Sequence, residues 1–307
     1  MGEIKSDNVG KGAIFIVLSS LLFGSYGVWS KLIGSSFGVF YQGWVRSLII
    51  CLIVLPTIYF AKQIVPIKRA DLKWFAVFLI FTSFTTAPIF YAFTHMAIGT
   101  AYLLFFVGML ITMYIVGFSF FGEKITGIKL IAFATTCIGL YAVFSFSIEN
   151  FVPLAAFMAL LNGIASGGEI AFSKKLSGSY SPLFLSWLSW FAILITNGII
   201  SVAIGEIQHA PAFNMVWLYL VVYAVAGIIG FWLVLKGIQY LESSIGSLLT
   251  PLEVVFGIIF GIMIFNEALT PSMLFGGTLI IVAAALPHVY RLVIQAMADR
   301  RNVRPSP

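Results

Sequence analysis

The sequence predicts an all-α integral membrane protein of ten transmembrane helices, arranged as two inverted five-helix repeats. Three observations carry this reading. Hydrophobic residues make up 61% of the 307 and charged residues only 9%, too little charge to solvate the surface of a soluble domain. The apolar runs are roughly 20 residues long, which suits helices and not the roughly 10-residue alternating strands of membrane barrels. Finally, a shift of 144 residues lays the second half on the first without a gap. Gly24 meets Gly168, Lys31 meets Lys175, Phe40 meets Phe184 and Gly117 meets Gly261, while Phe121-Gly122-Glu123 meets Phe265-Asn266-Glu267. Each half carries five spans, and five is odd, so the second copy sits inverted. Inverted copies in one membrane chain point towards solute transport.

In chain order the spans are 12–33, 38–60, 72–95, 99–121 and 126–148, forming a first repeat at 12–148. The second repeat, 152–291, holds 152–174, 182–204, 214–238, 243–265 and 271–291. The start, Met1 to Gly12, is short and mixed in charge and shows no cleavage site, so the first span is expected to stay in place. Arg46 and Cys51 fall within the second span and Cys137 within the fifth, the thiols reading as small buried hydrophobes. The sixth span carries Ser166-Gly167-Gly168-Glu169, where glycines let another helix approach. Ser181-Pro182 and Thr270-Pro271 open the seventh and tenth spans, a capping hydroxyl before a proline at the first helical position. The ninth span is interrupted by Pro251. The remainder, 292–307, is a tail expected to lose structure from Asp299.

Charge gives the orientation. With loop sides alternated, one side collects the basic residues of the start, of 62–73, 124–129, 174–175, Lys236 and 291–304; the other holds only Lys31. The positive-inside rule then places both termini in the cytoplasm, and the expected location is the plasma membrane. Basic residues confined to membrane loops are no sign of nucleic-acid binding. His95, His209 and His288 lie near span ends without ligand spacing, so neither a metal nor any cofactor is expected.

Several segments together resemble a known repeat. They are Leu249-Thr250-Pro251-Leu252-Glu253, Phe265-Asn266-Glu267-Ala268-Leu269-Thr270 and Gly276-Gly277-Thr278, with Phe121-Gly122-Glu123-Lys124-Ile125-Thr126 and Leu22-Phe23-Gly24-Ser25 in the first half. They are similar to the EamA domain of the drug/metabolite transporter (DMT) superfamily, and the resemblance covers nearly the whole chain. Val107 stands where the second copy has Pro251, and Asn266 where a glycine is usual, so the copies have diverged. The resemblance implies a central cavity and alternating access. It places the first, third, fourth, sixth, eighth and ninth spans at that cavity and the second towards the periphery. It also implies export or exchange of amino acids and other small metabolites, often driven by protons.

Ionisable residues inside a membrane are costly, which makes each a functional candidate. Glu253 lies two residues past Pro251, whose missing N–H frees the carbonyl of Ser247, with Thr250 adjacent. A carboxyl beside a broken helix suits a substrate or proton site; the structural alternatives are a protonated glutamate hydrogen-bonded across helices or an ion pair with Arg46. Glu169 either serves substrate or pairs with Lys174, five residues on. Arg46 either binds a carboxylate or pairs permanently with a glutamate. Arg46 and the two glutamates together could meet both charges of an amino acid. Among the aromatic and amide residues, Trp232, Tyr91 and Asn162 combine central depth with cavity-facing spans, ahead of Tyr26, Trp29, Tyr102, Phe106 and Gln239. Trp44, Trp74 and Trp217 read as interfacial anchors.

Glu123 and Glu267 are matched and lie at span ends, each three residues before a threonine, Thr126 or Thr270, placed to cap the next helix. They read as turn-fixing residues, with gating as the rival. Lys31 and Lys175 are explained by snorkelling. Gly257 and Gly261 form a small-xxx-small face for helix crossing, within the chain or in a homodimer. An intramembrane enzyme would need motifs that are missing: no His-Glu-x-x-His and no paired aspartates within the spans. The expected function is secondary transport of a small polar or zwitterionic metabolite, in the outward direction. Uptake, or a non-transporting receptor or scaffold on the same fold, are the alternatives. The partners are that metabolite, protons and the lipid bilayer.

Overall fold

The computed structural model describes residues 6–144 and 152–302. The last turn expected for the fifth span, 145–148, and the final residues 303–307 lie outside them. Ten spans are long and apolar enough to cross a membrane, and the described residues contain helices and no strand. Three spans are broken in two: α1 (Ser6–Gly24) with α2 (Tyr26–Ile33), α4 (Leu72–Ser83) with α5 (Ala87–His95), and α11 (Ser243–Leu249) with α12 (Leu252–Phe265). The others are single helices: α3 (Val39–Phe60), α6 (Ile98–Phe121), α7 (Gly127–Phe144), α8 (Pro153–Leu176), α9 (Pro182–Ala203), α10 (Met215–Ile238) and α13 (Pro271–Asn302). The last of these corrects the expected tail, for α13 continues to Asn302. No glycine or proline follows Pro287 before that point, and Arg, Leu, Met and Ala are good helix formers.

Each break has a local cause. Ser25 turns its hydroxyl onto the carbonyl of Leu22 at 2.6 Å, an alternative to the helical ladder. Pro88 cannot donate to the carbonyl of Phe84, and that freed acceptor takes Nδ2 of Asn162 at 3.0 Å. Pro251 frees the carbonyl of Ser247, which takes the hydroxyl of Thr250 at 3.0 Å. The neighbouring Leu249 carbonyl receives Ser20 Oγ at 3.3 Å. None of the three breaks has a counterpart in the matched span of the other repeat.

Packing shows the repeat directly. The third, fourth and sixth spans form one bundle, and the eighth, ninth and first form another. The 144-residue shift exchanges these bundles member for member. The remaining spans pair across the same axis, second with seventh and fifth with tenth. Glycines set the closest approach: a methyl on Gly108 would lie 2.8 Å from the Leu160 carbonyl, and one on Gly167 2.6 Å from that of Met109. The fourth and sixth spans therefore touch backbone to backbone, as small residues allow in membranes.

The span ends confirm part of the turn chemistry. Ser181 Oγ accepts from Phe184 N at 3.1 Å, and Thr270 Oγ1 from Met273 N at 3.2 Å. Thr126 differs from expectation: its side chain makes no cap, and only its carbonyl engages the next helix, through Leu130 N. Gly122 and Asn266 occupy matched left-handed positions, φ 65° and 53°. Asparagine is the side chain that best tolerates this conformation, so Asn266 preserves the turn where glycine is usual.

Candidate solute cavity and its two ends

A cavity of about 920 Å³ lies between the two bundles. Its mouth is bordered by Lys31, Gly34, Thr94, Ile98, Glu267 and Met273, and its floor by Met109, Glu169, Phe231 and Thr250. The second and seventh spans also reach the wall, through Gln42 and Arg46 and through Ser189 and Trp190. The second span is thus not peripheral, which corrects the expected lining.

Arg46 is held by rings. Its Cζ lies 4.1 Å from the centroid of Tyr223, 5.3 Å from Trp190 and 5.4 Å from Tyr26. Neither of the pairings expected for it occurs: among the described residues Arg46 has no ion-pair partner, and its Nε is buried without an acceptor. The Glu253 carboxyl stands on the wall of the same cavity, also without a hydrogen-bond or ion-pair partner among the described residues. The expected Glu169–Lys174 pair is absent as well. Glu169, 5% exposed, accepts from Thr82 Oγ1 at 2.9 Å and from the Ser189 hydroxyl.

The other candidates divide. Asn162, Thr250, Tyr26, Tyr102, Phe106 and Gly257 line the cavity, Asn162 and Thr250 while satisfying the carbonyls freed by the two prolines. Pro251 lies behind the wall and acts through the break it makes. Tyr91 and Trp232 do not face the cavity. Ile89, Phe90 and Phe93 take the wall on α5, while Tyr91 stacks on His95 with centroids 4.0 Å apart. Phe231 and Val234 take it on α10, and Trp232 meets Phe15 edge-on at 6.3 Å.

The two ends of the cavity differ. At the closed end Glu123 leaves its own turn and bridges the bundles. It accepts from Lys174 Nζ at 3.1 Å, from Ser243 N at 2.6 Å, and from Ser244 N and Oγ at 3.0 and 2.9 Å. Lys174 also donates to the Leu241 carbonyl at 2.6 Å. Lys129 pairs with Glu242 beside them. Burial pushes the Glu123 carboxyl up, but Lys174 and the Ser244 and Ser243 N–H groups outweigh it and hold the carboxyl below its ordinary value.

At the mouth the matched Glu267 binds only Lys31, at 2.9 Å, and Lys31 lies over the Phe265 ring at 4.1 Å. Its side chain is 49% exposed and that of Lys31 55%, against 6% for Glu123 and 9% for Lys174. Lys31 is therefore paired rather than simply snorkelling. Within the chain the atoms nearest to a Cβ on Gly261 belong to the Glu267 carboxylate, for which its missing side chain makes room, as Gly117 does for Glu123. The sequence reading missed the partners Ser243 and Ser244. A signal was present, since Ser244 matches Thr100 and both carry a hydroxyl.

A family model described as the EamA-like transporter family matches residues 10–145 and again 153–287. No curated protein matches the sequence. A solved crystal structure, 14% identical, shares the fold with a TM-score of 0.72, covering 90% of this chain and 97% of its own.

Proposed function

The chain belongs to the EamA-like transporter family, and from that premise we propose that it is a secondary carrier exchanging a small polar or zwitterionic metabolite across the plasma membrane. The observation that carries this reading is the cavity open at one end, with Arg46 and Glu253 unpartnered on its wall and the other end sealed by Glu123. Ionisable groups left without partners in a low-dielectric site are expensive in their charged forms, and a polar or zwitterionic solute relieves the cost. The basic loops support cytoplasmic termini, which makes the Glu123 end the inner end and the mouth the outer one. A cysteine replacing Ala212, in the connection between α9 and α10, is then labelled by an impermeant maleimide added outside. Labelling only after the membrane is broken would reverse the orientation.

The inverted repeat supports an alternating-access mechanism. In the opposite state the residues matched to the inner seal close the outer end. Glu267 then meets the N–H groups of Gly99 and Thr100 and the Thr100 hydroxyl, as Glu123 meets Ser243 and Ser244. The Lys129–Glu242 pair has no charged counterpart, because the matched residues are Met273 and Ile98. The inner seal therefore has an ion pair that the outer seal lacks.

Counterflow in liposomes tests the function. Purified protein is expected to exchange at least one amino acid or related metabolite saturably, with flux that responds to a pH gradient. Glu253→Gln is expected to exchange without that response, because its carboxyl is the proton site. Full proton dependence in Glu253→Gln would remove that assignment. Absence of flux for every solute would favour a non-transporting scaffold. Efflux with the proton gradient supports export as the working direction, and the reverse supports uptake.

A further inference from the structure

The inverted repeat holds an internal comparison between its two ends. Residues 61–71 join α3 to α4 on the Glu123 side, and 204–214 join α9 to α10 on the opposite side. Both connections leave their helix through a left-handed residue, Lys62 at φ 53° and Gly205 at φ 73°. Both also expose large apolar side chains: Phe60, Ile64, Ile67 and Leu72 in or beside the first, Ile207 and Phe213 in the second. Charge separates them. The second contains no lysine or arginine, whereas in and beside the first Lys62, Lys68, Arg69 and Lys73 are all exposed.

These cations are held in place and left without anions. Lys68 N donates to the Tyr180 hydroxyl at 3.0 Å, and Ser181 Oγ donates to Gln63 Oε1 at 2.8 Å, which pins the connection to the turn between α8 and α9. Asp71, the one carboxylate in the connection, is engaged by the Tyr180 hydroxyl at 2.9 Å. None of the four cations has an ion-pair partner among the described residues. A fifth joins them from α8: the Nζ atoms of Lys73 and of the exposed Lys175 lie 5.1 and 5.4 Å from the centroid of the Trp74 ring. Lys62 sits in a conformation that strains any residue with a Cβ, where the other repeat has glycine. Cations gathered among exposed apolar side chains at a bilayer edge match an anionic headgroup above its acyl chains.

We propose that Lys62, Lys68, Arg69, Lys73 and Lys175 form a docking surface for an anionic phospholipid of the adjoining leaflet. The cations take the headgroup phosphate, while Phe60, Ile64, Ile67 and Leu72 lie against the chains. A soluble anion would use the cations and leave those apolar groups in water, so a lipid and not a free phosphate fits the surface. The orientation given by the basic loops makes this the cytoplasmic leaflet, whose surface potential is negative. The surface lies outside the solute cavity and does not depend on the transport reading.

The test uses the full chain in mixed micelles of detergent and phosphatidylcholine, titrated with phosphatidylglycerol. Unfolding temperature and native mass spectrometry report binding. Phosphatidylglycerol is expected to raise the unfolding temperature and to stay bound where phosphatidylcholine does not, with the effect weakened by salt. Lys68→Gln combined with Arg69→Gln is expected to weaken that binding roughly 30-fold, about 5-fold for each cation removed. Lys73→Gln combined with Lys175→Gln should do the same, and serves if the first pair does not fold. Lys11→Gln combined with Lys236→Gln removes equal charge elsewhere on the same side and should leave the binding unchanged.

Equal weakening in the Lys11 and Lys236 pair would reduce the effect to general attraction towards a charged membrane and overturn the docking surface. Unchanged binding in both pairs drawn from the surface would overturn it too, as would equal stabilisation by phosphatidylcholine. Glycerol phosphate, which carries the headgroup charge without chains, checks the remaining source of an anion. Stabilisation by glycerol phosphate to the same extent would assign the cations to a soluble phosphate and remove the claim about the lipid. Flux enters none of these readings, so the lipid surface and the carrier fail separately.

Discussion

Replacing Glu123 by glutamine opens the inner end and holds the carrier there. The side chain keeps its size, but Lys174 loses its counter-charge at a site where both groups are more than nine-tenths buried. Breaking a buried pair by neutralising one partner costs about 3 kcal/mol or more. That corresponds to roughly a 100-fold loss of the inner-closed population relative to the inner-open one. Exchange falls with it, because a carrier confined to one state turns over slowly. Glu267→Gln moves the population the other way, towards the outer-open form, since its carboxylate is exposed here and engaged in the opposite state. Acid has the effect of Glu123→Gln only at low pH. The Glu123 carboxyl is held below its ordinary value in the sealed form. Inner closure is therefore fully present above the ordinary carboxylate range and is lost as pH falls through the lowered value. A cysteine-accessibility profile at the inner end, followed against pH, reads this directly.

A valine at Gly163 unfolds the carrier rather than slowing it. The added Cβ would lie 3.0 Å from Met109 N and 2.9 Å from the carbonyl carbon of Phe105, both backbone atoms that no rotamer can move. The fourth and sixth spans then separate, and the bundle that carries Glu123, Lys174 and Glu169 loses its register. Overpacking of this kind costs about 3 kcal/mol. The expected result is a sharply lowered unfolding temperature in detergent and little folded protein. Gly127→Val provides the control, since a Cβ there meets nothing within 4 Å. Equal stability of the two variants would show that the crossing is looser than the glycines imply.

The spans were legible because bilayer thickness fixes the length of an apolar run, and the ten expected segments recur within a few residues. The inverted repeat was legible through matched residues such as Gly117 with Gly261. Which side of a helix faces the cavity was not. In a soluble helix the polar stripe marks a face, but α10 is apolar all round, so nothing in its sequence separates Phe231 from Trp232. The same ambiguity misplaced Tyr91, and reliance on the resemblance misplaced Arg46. The break before Ala87 could have been read from Pro88, and the one in the first span only weakly from Ser25. Glu123 was legible as a turn residue but not as a bridge, because its partners lie 120 and 121 residues away. The asymmetries carry as much as the matches: Pro251 against Val107, Glu253 against Met109, and Glu242 against Ile98.

In the proposed cycle the two ends close in alternation, Glu123 sealing one and Glu267 the other. Spin labels at Lys124 and Gln239 span the inner end, and labels at Ala97 and Leu269 span the outer end. Both pairs go on a background lacking Cys51 and Cys137, and distances are measured by double electron–electron resonance in wild type and Glu123→Gln. Glu123→Gln is expected to lengthen the inner distance and shorten the outer one in the same molecules. Lengthening at both ends, or an inner end that opens while the outer distance stays fixed, would contradict it.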